Sequence, residues 1–170
     1  MEQWKGPSRF DVVVNLLFIL QVLFGAVYGV LFGPFLGIDA LWYIGWVVLV
    51  IGFLFFYLAL QEFKKKGEAK EGTSVQFTTV LVNSGVYAIV RHPQGLGCFI
   101  LMTGSILTSQ HWFSAIIGIP ISAYWYSTVP NDEAALIEKF GDDYKRYMQK
   151  VPRLNFIVGI IRLLWNKKKE

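Results

Sequence analysis

The chain has 170 residues, of which 54% are hydrophobic and only 16% charged, with a mean hydropathy of +0.45. That balance is too apolar for a water-soluble domain of this size and reads as a single polytopic membrane domain. The net charge of +4 does not point to nucleic acid, because the basic residues flank apolar stretches and suit anionic lipid headgroups. With a lone Cys98 and two separated histidines, neither a disulfide framework nor a metal site is expected.

Four uncharged stretches occur along the chain, at about 12–35, 40–60, 95–109 and 112–130. The expected fold is all-α: an integral membrane protein with four transmembrane helices and interfacial amphipathic helices after them. A crossing needs about 20 apolar residues, which the first two stretches supply and the third does not. The third is therefore expected to tilt or to begin below the surface. The first stretch follows a basic start but is too long for a signal-peptide core and lacks a small-x-small cleavage site, so it reads as a retained span. It carries Gly25, Gly29 and Gly33 on one helical face, a seam for one of the chain's own helices or for a second copy in a homodimer. Trp42, Tyr43 and Trp112 sit near span ends, where amphipathic rings favour the interface, and His111 beside Trp112 is expected there too.

The charges orient this layout. Every Lys and Arg precedes the first stretch, lies between the second and third, or follows the fourth. By the positive-inside rule both termini are cytoplasmic, and the far side carries only short turns with Asp39 as its acid. Lys64–Gly72 reads as a charged loop. Thr73–Val90 lacks a helical stripe, and lipid cannot satisfy such backbone, so it belongs at the surface or against protein. Pro93 suits the first turn of the third helix. After Pro130, Leu136, Ile137, Phe140, Tyr144, Tyr147, Met148 and Val151 recur at helical spacing among charges, which predicts an amphipathic helix or helix pair along the interface. Gly141 is placed to end one helix and Asp142 to cap the next. Phe156–Trp165 is apolar but short for a span.

Two polar clusters carry the chemistry. One runs from Leu81 to Pro93 and ends in Arg91-His92-Pro93; the other opens on Asp132-Glu133 and runs to Val151-Pro152-Arg153. Between Arg91 and Asp132 there is no Asp, Glu, Lys or Arg, so an uncharged hairpin should bring both clusters to one bilayer face. Carboxylates beside apolar spans are costly unless paired or used. The juxtaposition reads either as a structural ion pair or as a pocket for a zwitterionic, partly cationic ligand.

The run Leu-Val-x-Ser-Gly-Val-Tyr-Ala-x-x-Arg-His-Pro, followed after the hairpin by the acid pair, Leu136, Phe140-Gly141, Tyr144, Tyr147 and Val151-Pro152-Arg153, resembles the isoprenylcysteine carboxyl methyltransferase family over roughly residues 79–156. That resemblance implies an integral-membrane methyltransferase using S-adenosylmethionine. It places the cofactor against Thr79, Val80, Leu81 and Val82, against Tyr87, along His92, Pro93, Gln94 and Gly95, and at Asp132. Arg91, His92 and Glu133 are the candidates at the reacting end, for ligand carboxylate, ammonium or acceptor proton. The implied acceptor is a lipophilic small molecule, isoprenylcysteine carboxylate-like or another lipid, thiol or amine. Four departures stand out. Gly95 replaces a Tyr, Asp132 a Glu and Phe156 a Pro, and Ser127-Thr128-Val129-Pro130 lacks the family's substrate-binding Arg. Two alternatives are an NADPH-dependent isoprenoid or sterol reductase, whose members end in a similar acidic-aromatic block, and a non-catalytic membrane scaffold.

Overall fold

A computed structural model describes residues 8–66 and 80–168. Thr79 and the segment 67–79 lie outside the described residues. Six α-helices follow in order: α1 (Arg9–Leu31), α2 (Asp39–Lys66), α3 (Pro93–Ser109), α4 (Trp112–Phe140), α5 (Asp142–Lys150) and α6 (Phe156–Lys167). A 3-10 turn covers Gly85–Ala88. There is no strand among the described residues.

Local chemistry explains the boundaries. Ser8 caps α1 in a reciprocal box: its hydroxyl accepts from the Asp11 N–H at 3.1 Å while the Asp11 carboxylate accepts from the Ser8 N–H at 2.9 Å. α2 runs on to Lys66, so the expected loop at Lys64 begins as helix. Three lysines in its last turn suit the negative end of the dipole. α4 continues through Pro130 and the acid pair to Phe140, instead of breaking after the proline. Gly141, at φ 57, makes the real break. Asp142 is the first residue of α5 instead of its cap.

Among the described residues, two helices, α1 and α2, are long and apolar enough to cross a membrane, against the four expected. α3 stops at 17 residues, and α4 dilutes its isoleucines with Ser, Tyr, Thr and Pro before reaching its acids.

The chain divides into two units. In the unit of residues 1–51 and 99–127, α3 is seated on glycines. A Cβ on Gly25 would lie 2.5 Å from the Ser105 carbonyl oxygen, and one on Gly29 3.0 Å from that of Thr108. The chain's own α3 thus packs on the Gly25 and Gly29 face, while Gly33 lies past the end of α1. Buried Gln21 is satisfied across the helices, accepting from the Ser105 hydroxyl at 3.1 Å and donating to the Ser114 carbonyl at 3.4 Å, as an apolar medium requires. Val14, Met102 and Ile121 form the core. Leu16, Leu20, Leu23, Val27, Val47 and Val50 face outward and exposed, which suits lipid. At one end Gln110 clamps Ile38, donating to its carbonyl at 2.7 Å and accepting from its N–H at 3.2 Å. His111, expected at an interface, packs its ring among Phe24, Tyr28, Phe35 and Trp112. Trp42, expected as an anchor, donates its indole N–H to the Gly29 carbonyl at 3.0 Å.

The unit of residues 52–98 and 128–170 holds the second half of α2, the 80–92 segment, the start of α3, the end of α4, and α5 and α6. Leu81 and Val82, just before the 3-10 turn, pack on different clusters. Val82 joins Ala59 and Tyr87, and Leu81 packs on the cluster of Tyr144, Tyr147 and Val151. Gly85, at φ +59, lies so close to Glu62 that a Cβ would meet its carboxyl carbon at 2.5 Å. Only glycine meets both demands.

Candidate functional site

The site is built where the chain turns into α3. Backbone pairing sets it: the Arg91 N–H donates to the Pro152 carbonyl at 3.0 Å and the His92 N–H to that of Arg153 at 3.3 Å. Tyr147 donates its hydroxyl to the Tyr87 carbonyl at 2.6 Å. Segment 87–92 is thereby stitched to α5 and the Val151-Pro152-Arg153 run.

Onto this frame α4 brings Glu133, whose side chain is only 5% exposed. Its carboxylate takes Arg91 Nη2 at 3.0 Å, His92 Nε2 at 3.3 Å, and Arg153 through Nε at 3.1 Å and Nη2 at 2.5 Å. Arg91 also donates to the Met148 carbonyl at 3.2 Å. Burial works to raise the Glu133 pKa, but the Arg153 bonds and the Arg91 charge outweigh it and hold the carboxyl below its usual range. Burial drives the His92 pKa below its ordinary value, against the pull of Glu133. His92 is thus the neutral member, donating Nε2–H. Burial pushes the Tyr144 phenol up to about 12 and also raises Tyr87 and Tyr147. These tyrosines stay protonated.

These shifts carry a sign. Both Glu133 and His92 are lowered from 4.5 and 6.5 respectively, so on acidification the unfolded chain takes up protons before the folded one. The stability they lend is whole above the ordinary His value and falls as pH drops, first through His92 and then through Glu133. The unfolding midpoint in detergent should therefore decline steadily below about pH 6.5, with His92→Gln removing the upper part of the decline. A midpoint that rises on acidification contradicts the assignment.

The sequence-predicted residues separate into groups. Arg91, His92 and Glu133 meet in one network. Pro93 is buried at the helix start. Tyr87 and Val82 are packed beneath the turn. Val80 and Leu81 line a groove on the α5–α6 side. Asp132 is exposed, on the same turn as buried Glu133. Gly95 faces open space, and the nearest atom to a methyl added there would be His92 Cβ at 3.9 Å. Gly95→Ala should thus stabilise α3 by up to about 1 kcal/mol, the helix-propensity difference, read as a higher unfolding midpoint; a lower one would mean the space is filled.

At this site three buried groups lack hydrogen-bond partners: Arg91 Nε, Gln94 Nε2 and the Tyr144 hydroxyl. Buried orphan donors are rare and call for a ligand or water.

Sequence reasoning missed Arg153 and Glu62. The Val-Pro-Arg run signalled the first. The second stood only as an acid four residues before Lys66, to which it pairs at 2.9 Å. No cluster of three metal-ligating side chains exists among the described residues.

Comparison with known proteins places the chain. It is 34% identical to a protein-S-isoprenylcysteine O-methyltransferase of Schizosaccharomyces pombe over 74 residues, which is 43% of this chain and 31% of that protein. The enzyme of the same name from Dictyostelium discoideum is 26% identical over 121 residues, 71% of this chain and 51% of that one. Methanethiol S-methyltransferase 1 of Bradyrhizobium diazoefficiens is 33% identical over 86 residues, 50% of this chain and 28% of the other. The chain therefore spans about a third of the length of most of these relatives. No solved structure matches it. The model of the phospholipid methyltransferase family matches residues 40–143, well over half of the chain and both arms of the Arg91–Glu133 network, and the chain belongs to that family.

Proposed function

We propose that the protein is a membrane-embedded methyltransferase that moves a methyl group from S-adenosylmethionine to a small lipophilic acceptor. The observation that carries this reading is the meeting of the α3 start with the α4 acid in a chain of this family. Its support is the cluster of orphan donors there. The donor brings a sulfonium-bound, electrophilic methyl. The residues present fit its other parts. Arg91 Nε and Gln94 Nε2 suit a carboxylate, Asp132 suits an ammonium or ribose hydroxyl, and the open side of Gly95 leaves room. Val80–Val82, Tyr87, His92 and Pro93 complete this proposed pocket.

Glu133 works through others. It holds Arg91 and His92 at one place and angle, and methyl transfer depends on alignment more than on acid–base work. Neutral His92 is the group placed to take a proton if the acceptor is a thiol or amine. The name of the bacterial relative favours a thiol-type acceptor as one arm of the acceptor class, and the isoprenylcysteine enzymes a carboxylate as the other.

The same proposal includes four spans, with α3 and the first part of α4 crossing beside α1 and α2. Both termini and the donor site are then cytoplasmic, because all basic residues flank one set of span ends.

Calorimetry on detergent-purified protein tests the reading. S-adenosylhomocysteine should bind, and NADPH should not. Binding of NADPH alone would support a reductase, and binding of neither a scaffold. Lipid extract incubated with protein and methyl-labelled donor should then yield a labelled product that identifies the acceptor.

A further inference from the structure

Within the unit of residues 52–98 and 128–170 a groove of about 1060 Å³ runs between the 80–88 segment, α5 and α6. None of His92, Pro93, Gln94, Gly95, Asp132 or Glu133 lines it. Its walls carry three cations, Arg146, Lys150 and Arg162, against one acid, Asp143. Asp143 is already paired with Arg146. Lys150 meets no acid among the described residues. Arg162 gives two guanidinium nitrogens to the Lys150 and Ala88 carbonyls, and its Nε is buried without a partner. The groove therefore has excess positive charge, unspent N–H donors and the polar ends of Asn83 and Gln149. That combination suits an anion with several acceptor oxygens.

The α6 wall says what the anion is attached to. This helix has 12 residues, too few to cross a bilayer. Ile157, Ile160, Ile161, Leu164 and Trp165 are exposed on it, the pattern of a helix lying in the plane of the interface with its apolar side in the acyl chains. Groove and lipid-facing helix share a border, so an anion that reaches the cations there can bring acyl chains with it.

We propose that this groove binds one anionic phospholipid, its phosphate against Lys150 and Arg162 and its chains along α6. The groove shares Val80 and Leu81 with the proposed donor pocket but none of the orphan donors at the α3 start, so competition with S-adenosylhomocysteine separates the two readings.

Native mass spectrometry of the full chain, released from detergent with phosphatidylglycerol or phosphatidylcholine, tests it. One phosphatidylglycerol should be retained at least tenfold more tightly than phosphatidylcholine. Arg146→Glu with Lys150→Glu should abolish that preference, since both reversed charges repel the phosphate. Lys150→Gln, a milder change on an exposed side chain, should reduce it severalfold. Lys64→Glu with Lys65→Glu, exposed charges on α2 that do not line the groove, should leave it intact. Equal loss in that control would reduce the preference to diffuse surface attraction and overturn the proposal. Equal affinity for glycerol 1-phosphate would make the ligand a soluble anion, and displacement by S-adenosylhomocysteine would give the groove to the methyl donor. Either result also overturns it.

Discussion

Glu133→Ala should destabilise the protein by about 3–5 kcal/mol, the largest loss expected from any single polar substitution in the chain. The carboxylate sits 5% exposed between Arg91, itself 9% exposed, and Arg153, with His92 beside it. Removing it leaves Arg91 buried with one carbonyl partner and no counter-charge, and that uncompensated charge, more than the lost ion pairs, sets the size of the effect. The consequence spreads, because Arg91 also ties Met148 and the backbone of 91–92 is bonded to Pro152 and Arg153. Glu133→Gln keeps shape and one acceptor and should lose less, while abolishing the lower part of the acid decline in stability. Asp132→Ala is the internal control. Loss of its exposed side chain should change stability by under about 0.5 kcal/mol, and under the proposed function it should weaken S-adenosylhomocysteine binding. Denaturation of detergent-purified variants decides the matter: equal, small shifts from both acids would mean that Glu133 is not the keystone of this unit.

That contrast between neighbouring acids shows where sequence reading stops. The helical character, the hairpin that returns the chain to its own polar cluster and the meeting of Arg91-His92 with the acid pair all followed from charge placement and spacing. These are one-dimensional properties written directly in the chain. Which acid turns inward depends on the phase of α4, and the sequence misleads there because the apolar stretch ends at Pro130 and an amphipathic pattern follows, although one helix runs through both. Once α4 is continuous, Glu133 falls on the buried side and Asp132 on the outer one. Arg153 was visible only as the end of the second polar cluster and of the family-like run, since its role comes from a backbone pairing of 91–92 with 152–153 that no periodicity encodes. The glycines of α1 were legible as a close-packing face but not as to partner: Ser105 and Thr108, small and uncharged, give no pattern that distinguishes an intrachain neighbour from a second copy.

Gly104→Leu should be the most damaging apolar substitution, at about 3 kcal/mol or more. A Cβ at Gly104 would stand 2.8 Å from the Leu49 amide nitrogen and 3.1 Å from the Gly45 carbonyl oxygen, and a Cβ at Gly45 would in turn meet the Thr108 amide at 2.7 Å. These are backbone atoms of a facing helix, so no rotamer change relieves the overlap and the two helices must separate. Separation is not resisted elsewhere: in a lipid setting there is no hydrophobic force between helices to recover, and close van der Waals contact through small residues is what holds them. Even Gly104→Ala should lower the unfolding midpoint measurably. Gly95→Ala, on the same helix, is expected to do the opposite. Opposite signs from one methyl group at two positions of α3 test the packing directly. A tolerated leucine at 104, with the midpoint unchanged, would show that α2 and α3 are not in backbone contact and would remove the basis for this unit's architecture.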